Sequence, residues 1–291
     1  FQDEAANLFL RREGRDPELP PLLIGSHLDS QPTGGRFDGA LGTLSAFEAL
    51  EALADAGIET DRAVEVVAFT NEEGSRFSPG CMGSMAFAGA GSIADWRAAR
   101  ATDGALLADE LTATLAALPE AEVRPAGHAI SAFVELHIEQ GPILEREAVP
   151  IGVVTAVQGT KWLEIAFSGE AAHAGTTPLE FRKDPMGAAA TAIARIQGDI
   201  MPADPQARLT VGRIAAEPGS INVIPSRVSF TVDIRHPDAD ALAAMERRVR
   251  QECAAAGERW ACAVTIGQRV DMSPGRFAPA VTAEIEAACR T

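Results

Sequence analysis

Histidines and carboxylates recur at the ends of apolar runs in the first half of this chain, and that placement suggests metal chemistry. His27-Leu28-Asp29 follows PLLIG (residues 21–25), and eleven residues past His27 a turn rich in glycine, Gly34-Gly35-Arg36-Phe37-Asp38-Gly39, presents Asp38 at a helix start. Asn71-Glu72-Glu73-Gly74 follows VEVVAFT (64–70), and His137, Glu139 and Gln140 fall at the end of FVELHI (133–138). Imidazole plus carboxylate gathered from separate strand ends is a ligand set of zinc, manganese, cobalt or nickel hydrolases. In H-x-D, the carboxylate of Asp29 is placed to hold the ring nitrogen of His27 that faces away from an ion. Asp38 alone could be an N-cap, and among glycines it also allows an ion to approach closely; both roles can coexist. Adjacent Glu72 and Glu73 would be ordinary on a solvated face, but at the end of a buried strand one can ligate a metal while its neighbour takes a proton from water. His137 in an apolar run needs a partner for burial, and a metal supplies one.

Convergence of these residues requires strands that end side by side. Apolar runs at 21–25, 64–70, 133–138 and 151–157 alternate with amphipathic stretches. Residues 40–56 carry Leu41, Leu44, Phe47, Leu50 and Leu53 at helical spacing, and the alanine-rich 96–118 suits surface helices. The pattern predicts an α/β fold with a mixed, mostly parallel sheet, whose ligands gather at the carboxyl ends of its strands. From Lys161 the texture changes to strand (WLEIAFSG), helix (184–199), two strands (ARLTVGRIAA, RVSFTVDIRH), helix (239–256) and strand (CAVTIGQ), a βαββαβ order similar to a ferredoxin-like module. The expected organisation is a catalytic metal-binding domain over 1–158, an inserted ferredoxin-like domain over 159–270, and a return to the first domain over 271–291.

The length of 291 residues suits two domains at roughly 150 residues each. Lys plus Arg number 25 and Asp plus Glu 41, a net charge of −16 that disfavours nucleic acid and anionic membranes as partners. No apolar run approaches the roughly 18–20 residues of a membrane span. Cys81, Cys253, Cys262 and Cys289 are far apart with no C-x-x-C pair, which argues against a zinc ribbon or a disulfide framework and for a reducing, cytoplasmic compartment. An anionic substrate would have to be captured by a local cation rather than by the field of the whole protein.

In order along the chain, the segments GSHLDS, GGRFDGALG, TNEEGSRF, ELHIEQGPILE, AAHAGTTP and SINVIPSRVSFTVDIRH resemble the M20-type metallo-amidohydrolases. The closest branch is that of N-carbamoyl-L-amino-acid hydrolases, β-ureidopropionases of that type and allantoate amidohydrolases. The resemblance covers nearly the whole chain, and HIEQG and HAGTTP are specific to this branch. It implies that His27, Asp38, Glu73 and His137 ligate two divalent transition-metal ions (Zn, Mn, Co or Ni), with Asp38 bridging. Glu72 is implied as general base and Asp29 as the group that orients His27. The inserted domain is implied to act as a lid and dimerisation module, supplying His173, Asn222 and Arg235 to a small substrate bearing a carboxylate, with Gln140 as a further contact. A homodimer follows, in which the lid histidine serves the partner's site. The resemblance further implies sequence upstream of FQDEAANLF and a last histidine ligand in a G-A-G-H-D-A-type motif, which these residues do not contain, so the chain is expected to be an internal part of a longer protein.

Judged by residue type alone, His173 could tie down its loop or cap a helix, Asn222 could be a turn residue, and Arg235 could pair with Asp233 or Asp238 on the surface. The implied activity is hydrolysis of the ureido C–N bond of N-carbamoyl-L-amino acids to amino acid, carbon dioxide and ammonia, with allantoate as the alternative substrate. Two readings belong to other classes: a thiol amidase using Cys81, for which no dedicated base is evident, and a non-catalytic dimeric binding protein with an incomplete metal site.

Overall fold

A computed structural model describes residues 1–290, which divide into two compact units, Phe1–Pro150 and the remainder from Ile151. Unit 1 is built on a six-stranded sheet in the order β5-β1-β2-β4-β3-β6. Its strands are β1 (Gln2–Asp3), β2 (Leu8–Arg12), β3 (Leu22–His27), β4 (Val64–Phe69), β5 (Val123–Arg124) and β6 (Ala132–Val134). Three of the five pairings are parallel (β1–β5, β3–β4, β3–β6), so the sheet is mixed and mostly parallel, as the sequence predicts. The β-branched residues of β4 explain its central place: Val64 and Val66 pack against Ala46 and Leu50 of α1 (Ala40–Asp55), while Val67 packs with Phe9 and Leu23. Burying each such large apolar side chain contributes roughly 1.5–3 kcal/mol. Helices α2 (Met82–Phe87), α3 (Ile93–Trp96) and α4 (Leu107–Ala116) form a third cluster around Phe77, Met82, Ile93 and Leu107, and the short α5 (Ile143–Glu147) follows β6.

Two strand expectations need correction. The run 133–138 contributes only Phe133 and Val134 to a strand, because pairing to β3 stops at Ile24↔Val134, after which Glu135 turns to the Ser26 hydroxyl and His137 to Asp38. The run 151–157 yields only β7 (Ala156–Val157), which belongs to unit 2. In turn β1 and β2 escape the reading by apolar runs, since Leu8–Arg12 alternates exposed and buried positions and ends in two arginines.

Unit 2 places β8 (Gly159–Ser168) between β13 (Arg227–His236) and β14 (Ala263–Met272), with β10 (Arg208–Thr210) on the far side of β13. β9 (Ala172–His173) pairs with β12 (Val223–Ile224), and β11 (Ile214–Glu217) continues along β13. Leu163, Ile165 and Phe167 alternate with residues of the opposite face and meet Val228, Phe230, Val232 and Ile234 in one core. Helices α6 (Pro185–Ile200) and α7 (Ala239–Arg259) close that core with Ala188, Ala192, Ile196, Leu242, Val249 and Cys253. Both are capped by aspartates, Asp184 and Asp238, that accept backbone amides of their first turns. β15 (Gly275–Arg276) pairs with β7, so the segments entering and leaving the βαββαβ stretch run side by side within unit 2, and α8 (Pro279–Cys289) follows. The compact units thus divide eight residues before the expected boundary at 158, and residues 271–290 group with unit 2. Among the described residues no helix is long and apolar enough to cross a membrane.

Candidate metal centre

Parallel pairing sets the site. His27 ends β3 opposite Phe69, which ends β4, so the residues after each strand, Asp29 on one and Asn71 to Glu73 on the other, emerge at the same sheet end. His27 is buried, and its Nδ1 lies 2.9 Å from the Asp29 carbonyl oxygen and 3.4 Å from Asp29 Oδ1. A carbonyl oxygen can only accept, so Nδ1 donates, and once the ring has lost its other proton its lone pair lies on Nε2. That Nε2 is 3.6 Å from Asp38 Oδ1 and 3.6 Å from Glu72 Oε2. The ring fits because Gly39, at φ 69°, passes beneath it; a Cβ there would stand 2.4 Å from Nδ1.

Asp38 is fixed by a turn in which its amide donates to the Gly35 carbonyl at 2.9 Å. It does not cap α1: the N-cap is Gly39, with no side-chain bond, so the capping role considered for Asp38 is not taken up. His137 reaches the same carboxylate, Nε2 lying 3.2 Å from Asp38 Oδ1 while its Nδ1 sits 2.6 Å from the Ile138 carbonyl. His27, Asp38 and His137 therefore offer three ligand atoms within 4.8 Å of one another. Glu73 lies next to this trio rather than in it: its Oε2 accepts from Gln31 at 2.8 Å, and a Cβ on Gly35 would stand 3.2 Å from Asp38 Cβ and 3.9 Å from Glu73 Oε1.

Two buried polar atoms here, His27 Nε2 and Glu73 Oε1, have no hydrogen-bond partner. Leaving such atoms unpaired costs about 1–3 kcal/mol each, and an imidazole–carboxylate donor set suits a divalent transition metal. The residues present fit such an ion.

Electrostatics follow from the crowding. Burial works against a charged His27, but the Asp29 hydrogen bond and the Glu72 charge outweigh it and raise the ring to about 9. Burial works against the Asp29 carboxylate as well, yet His27 and the Glu73 and Glu72 amides hold it below its ordinary value. Burial raises Glu72, only partly offset by His27 and Cys81, the direction useful for a general base. Cys81 Sγ lies 3.6 Å from Glu72 Oε1, and burial together with the Glu72 charge pushes the thiol up to about 11. A raised pKa keeps the thiol protonated at neutral pH, which does not favour Cys81 as a thiolate nucleophile.

Gln140 takes up a left-handed backbone conformation (φ 52°), and its side-chain amide donates to Asp38 Oδ2. In unit 2, the β9–β12 ladder sets His173 opposite Val223, and the Ala174 amide donates to the Asn222 carbonyl at 3.0 Å, so His173 and Asn222 are neighbours. His173 Nδ1 accepts the Gly175 amide at 3.1 Å, and Asn222 Oδ1 accepts the Ser220 hydroxyl at 2.9 Å. Arg235 spends its fork on Asp233, with Nε 3.1 Å and Nη2 2.8 Å from its carboxylate oxygens, because residues two apart on β13 share a face. Asp238 caps α7 instead. Sequence reasoning missed Gln31 on Glu73, Thr43, whose hydroxyl donates to the His27 carbonyl at 3.0 Å, and the pairing of Ser26 with Glu135. None of these carries a spacing signal: Ser26 and Glu135 lie within segments already singled out, Thr43 lies in the helix that follows one, and Gln31 falls just past GSHLDS.

The chain matches Peptidase family M20/M25/M40 over residues 23–290. It is 40% identical over 286 residues to an N-carbamoyl-L-amino-acid amidohydrolase of Rhizobium meliloti, covering 98% of this chain and 68% of that protein. It is 35% identical over 273 residues to an allantoate amidohydrolase of Escherichia coli (strain K12), covering 94% and 66%. The crystal structure of a hydantoinase/carbamoylase family amidase from Burkholderia ambifaria superposes with a TM-score of 0.91 at 40% identity, covering 99% of this chain and 70% of that one. With a family match across most of its length and relatives at this identity, the chain belongs to Peptidase family M20/M25/M40.

Proposed function

We propose that this chain carries out metal-dependent hydrolysis of the ureido C–N bond of N-carbamoyl-L-amino acids, releasing amino acid, carbon dioxide and ammonia. One observation carries the reading: two imidazoles meet on the Asp38 carboxylate at the carboxyl end of a mostly parallel sheet, with His27 Nε2 left without a partner. The identity to the Rhizobium meliloti enzyme supports the substrate class.

His27, Asp38, Glu73 and His137 would hold two divalent ions. Bound there, the ions supply Lewis-acid polarisation and lower the pKa of water. Asp29 holds the His27 ring in its tautomer, and Glu72 takes a proton from water and returns it to the leaving nitrogen. His173 stabilises the developing oxyanion, a single-donor effect of roughly 3–4 kcal/mol. Arg235, Asn222 and Gln140 hold the substrate carboxylate, Arg235 by its two-pronged fork. For this, Arg235 exchanges Asp233 for substrate and Gln140 releases Asp38. In the proposed organisation residues 1–158 and 271–291 form the catalytic domain and 159–270 the lid and homodimer module. The side-by-side β7 and β15 support this, since an inserted domain needs its entry and exit strands adjacent. The proposed setting is the cytoplasm, with neither nucleic acid nor membrane as partner.

Allantoate hydrolysis is the second reading, supported by the Escherichia coli relative. Ammonia release by the metal-loaded protein from N-carbamoyl-L-amino acids and from allantoate, with and without chelator, tests both. Faster release from the carbamoyl substrate, abolished by chelator, is the expected result. Preference for allantoate would select the second reading, and absence of both metal binding and turnover would leave a binding protein.

A further inference from the structure

We infer that Asn7, held by Asp3, is a positioning residue for the turn that carries Glu72 and Glu73; the inference rests on the roles proposed above for those two carboxylates. Asn7 is fully buried near the start of the chain, yet its side chain ends at the site loop. On the β2 side, the ladder to β4 ends at Leu8↔Ala68, so the amide of Thr70 lies beyond it. Asn7 Oδ1 accepts that amide at 2.9 Å, extending the ladder with a side chain to the residue where β4 becomes the site loop. Asn7 Nδ2 donates to the Gly83 carbonyl at 3.0 Å, and the Gly83 amide donates to the Thr70 carbonyl at 2.9 Å.

Segment 70–83 is thereby closed at its neck by Thr70, Gly83 and Asn7. Position 83 must be glycine for this approach, since a Cβ there would stand 2.1 Å from Asn7 Oδ1. Within the closed segment the Cys81 amide donates to the Glu72 carbonyl at 2.7 Å, and the Asn71 side chain donates to the Phe77 and Pro79 carbonyls at 2.8 and 3.0 Å. Asp3 fixes Asn7 in turn: its buried carboxylate accepts the Asn7 amide at 3.0 Å and Asn7 Nδ2 at 2.8 Å. A path of hydrogen bonds thus runs from Asp3 through Asn7 to the neck of the loop, on the side away from Asp29.

The test uses Asn7→Asp, which keeps the shape and the acceptor for Thr70 but loses both donated bonds and sets a carboxylate against Asp3. The double variant Asp3→Asn with Asn7→Asp restores one donor–acceptor contact between the two positions. Metal content, melting temperature, kcat and KM are measured, together with hydrogen exchange of peptides covering residues 70–83 in the metal-loaded protein. Asn7→Asp is expected to speed exchange in that segment and lower kcat about tenfold or more, with KM within about twofold and metal retained, because misplacement of about 1 Å is enough for losses of this order. The double variant, which still offers no donor to the Gly83 carbonyl, is expected to recover part of both losses. Unchanged exchange overturns the proposal, as does faster exchange with kcat intact. A fall in kcat that merely tracks loss of folded protein, without recovery in the double variant, overturns it too. Glu72→Gln is the control: if that variant keeps its turnover, the reading of the carboxylates fails, whereas a dead Glu72→Gln beside a fully active Asn7→Asp removes only the role of Asn7.

Discussion

Asp29 lies against the Nδ1 edge of His27, with Oδ1 3.4 Å from that nitrogen, and the same carboxylate accepts the Glu72 and Glu73 amides at 3.2 and 3.1 Å. One side chain thus orients a proposed ligand and the turn bearing the proposed base. Asp29→Asn keeps the shape but turns an NH2 group toward a donor, either the ring or a backbone amide. Metal affinity, read by competition with a chelator, is expected to fall about 10–100-fold, the usual cost of losing such a supporting partner. Affinity within twofold of the parent would show that backbone contacts alone orient His27.

Without metal, His27 titrates near 9, whereas a metal requires the neutral ring. Metal uptake near neutral pH should therefore release a proton from this residue, and affinity should weaken as pH falls. Stability of the metal-free protein should run the other way. Because folding raises the His27 pKa above its ordinary 6.5, its contribution is fully present below about 6.5 and lost as pH rises through about 9. Glu72, also raised, acts in the same direction at lower pH. Calorimetry in buffers of different ionisation enthalpy reads the proton release, and melting curves of chelator-treated protein across pH 6–10 read the stability. A metal-free melting temperature that climbs between pH 7 and 9 would contradict this account.

Gly39→Ala should expel the metal rather than unfold the protein. The added Cβ would collide with the His27 ring, and at φ 69°, ψ −54° the backbone lies outside the regions a side chain ordinarily adopts. Gly57→Ala is a control for positive φ without a clash: its φ is 62° and nothing lies within 4 Å of the added carbon. Both variants should lose some stability to backbone strain, and only Gly39→Ala should also lose metal affinity. Equal metal binding by the two would mean that the ring can shift without cost.

How far the site was legible follows from which residues strand order alone can place. His27 and Glu72 could be read because both follow buried runs rich in apolar residues, and such runs pair in parallel and end together. His137 was legible as a participant, although its strand breaks off at Val134 and the residue is delivered by irregular backbone. Arg235 was legible only as an arginine at a strand end. Its engagement with Asp233 depends on side-chain geometry across one face of β13, where sequence left two aspartates open. Asn7 left no trace as a site residue, because its importance comes from where the ladder between β2 and β4 happens to stop.

The Arg235–Asp233 pair suggests a prediction of opposite sign for two variants. Arg235→Lys should raise KM for a substrate bearing a carboxylate, since an ammonium cannot replace the fork. Asp233→Asn should lower KM, because the competing carboxylate is removed while the guanidinium stays. Steady-state kinetics of both variants decide the matter. An unchanged KM in both would leave Arg235 as a surface residue paired within its own strand.

Glu72 and Glu73, adjacent in sequence, differ in their surroundings. Glu72 Oε2 is 3.6 Å from His27 Nε2, whereas Glu73 has one oxygen on Gln31 and one buried without a partner. Proximity alone would favour Glu72 as the ligand, while the unpaired Glu73 Oε1 favours Glu73, because a buried oxygen without a donor needs a cation. The raised pKa of Glu72 fits a group that must both accept and return a proton. Glu72→Gln preserves shape and cannot take the proton, so metal content should stay at the parental value while kcat drops by about 10²–10⁴-fold. Glu73→Gln should instead weaken metal binding, and excess metal should restore part of the turnover. Metal analysis and kinetics on both variants give four readings, and loss of metal in Glu72→Gln with retention in Glu73→Gln would reverse the two roles while leaving the His27–Asp38–His137 trio in place.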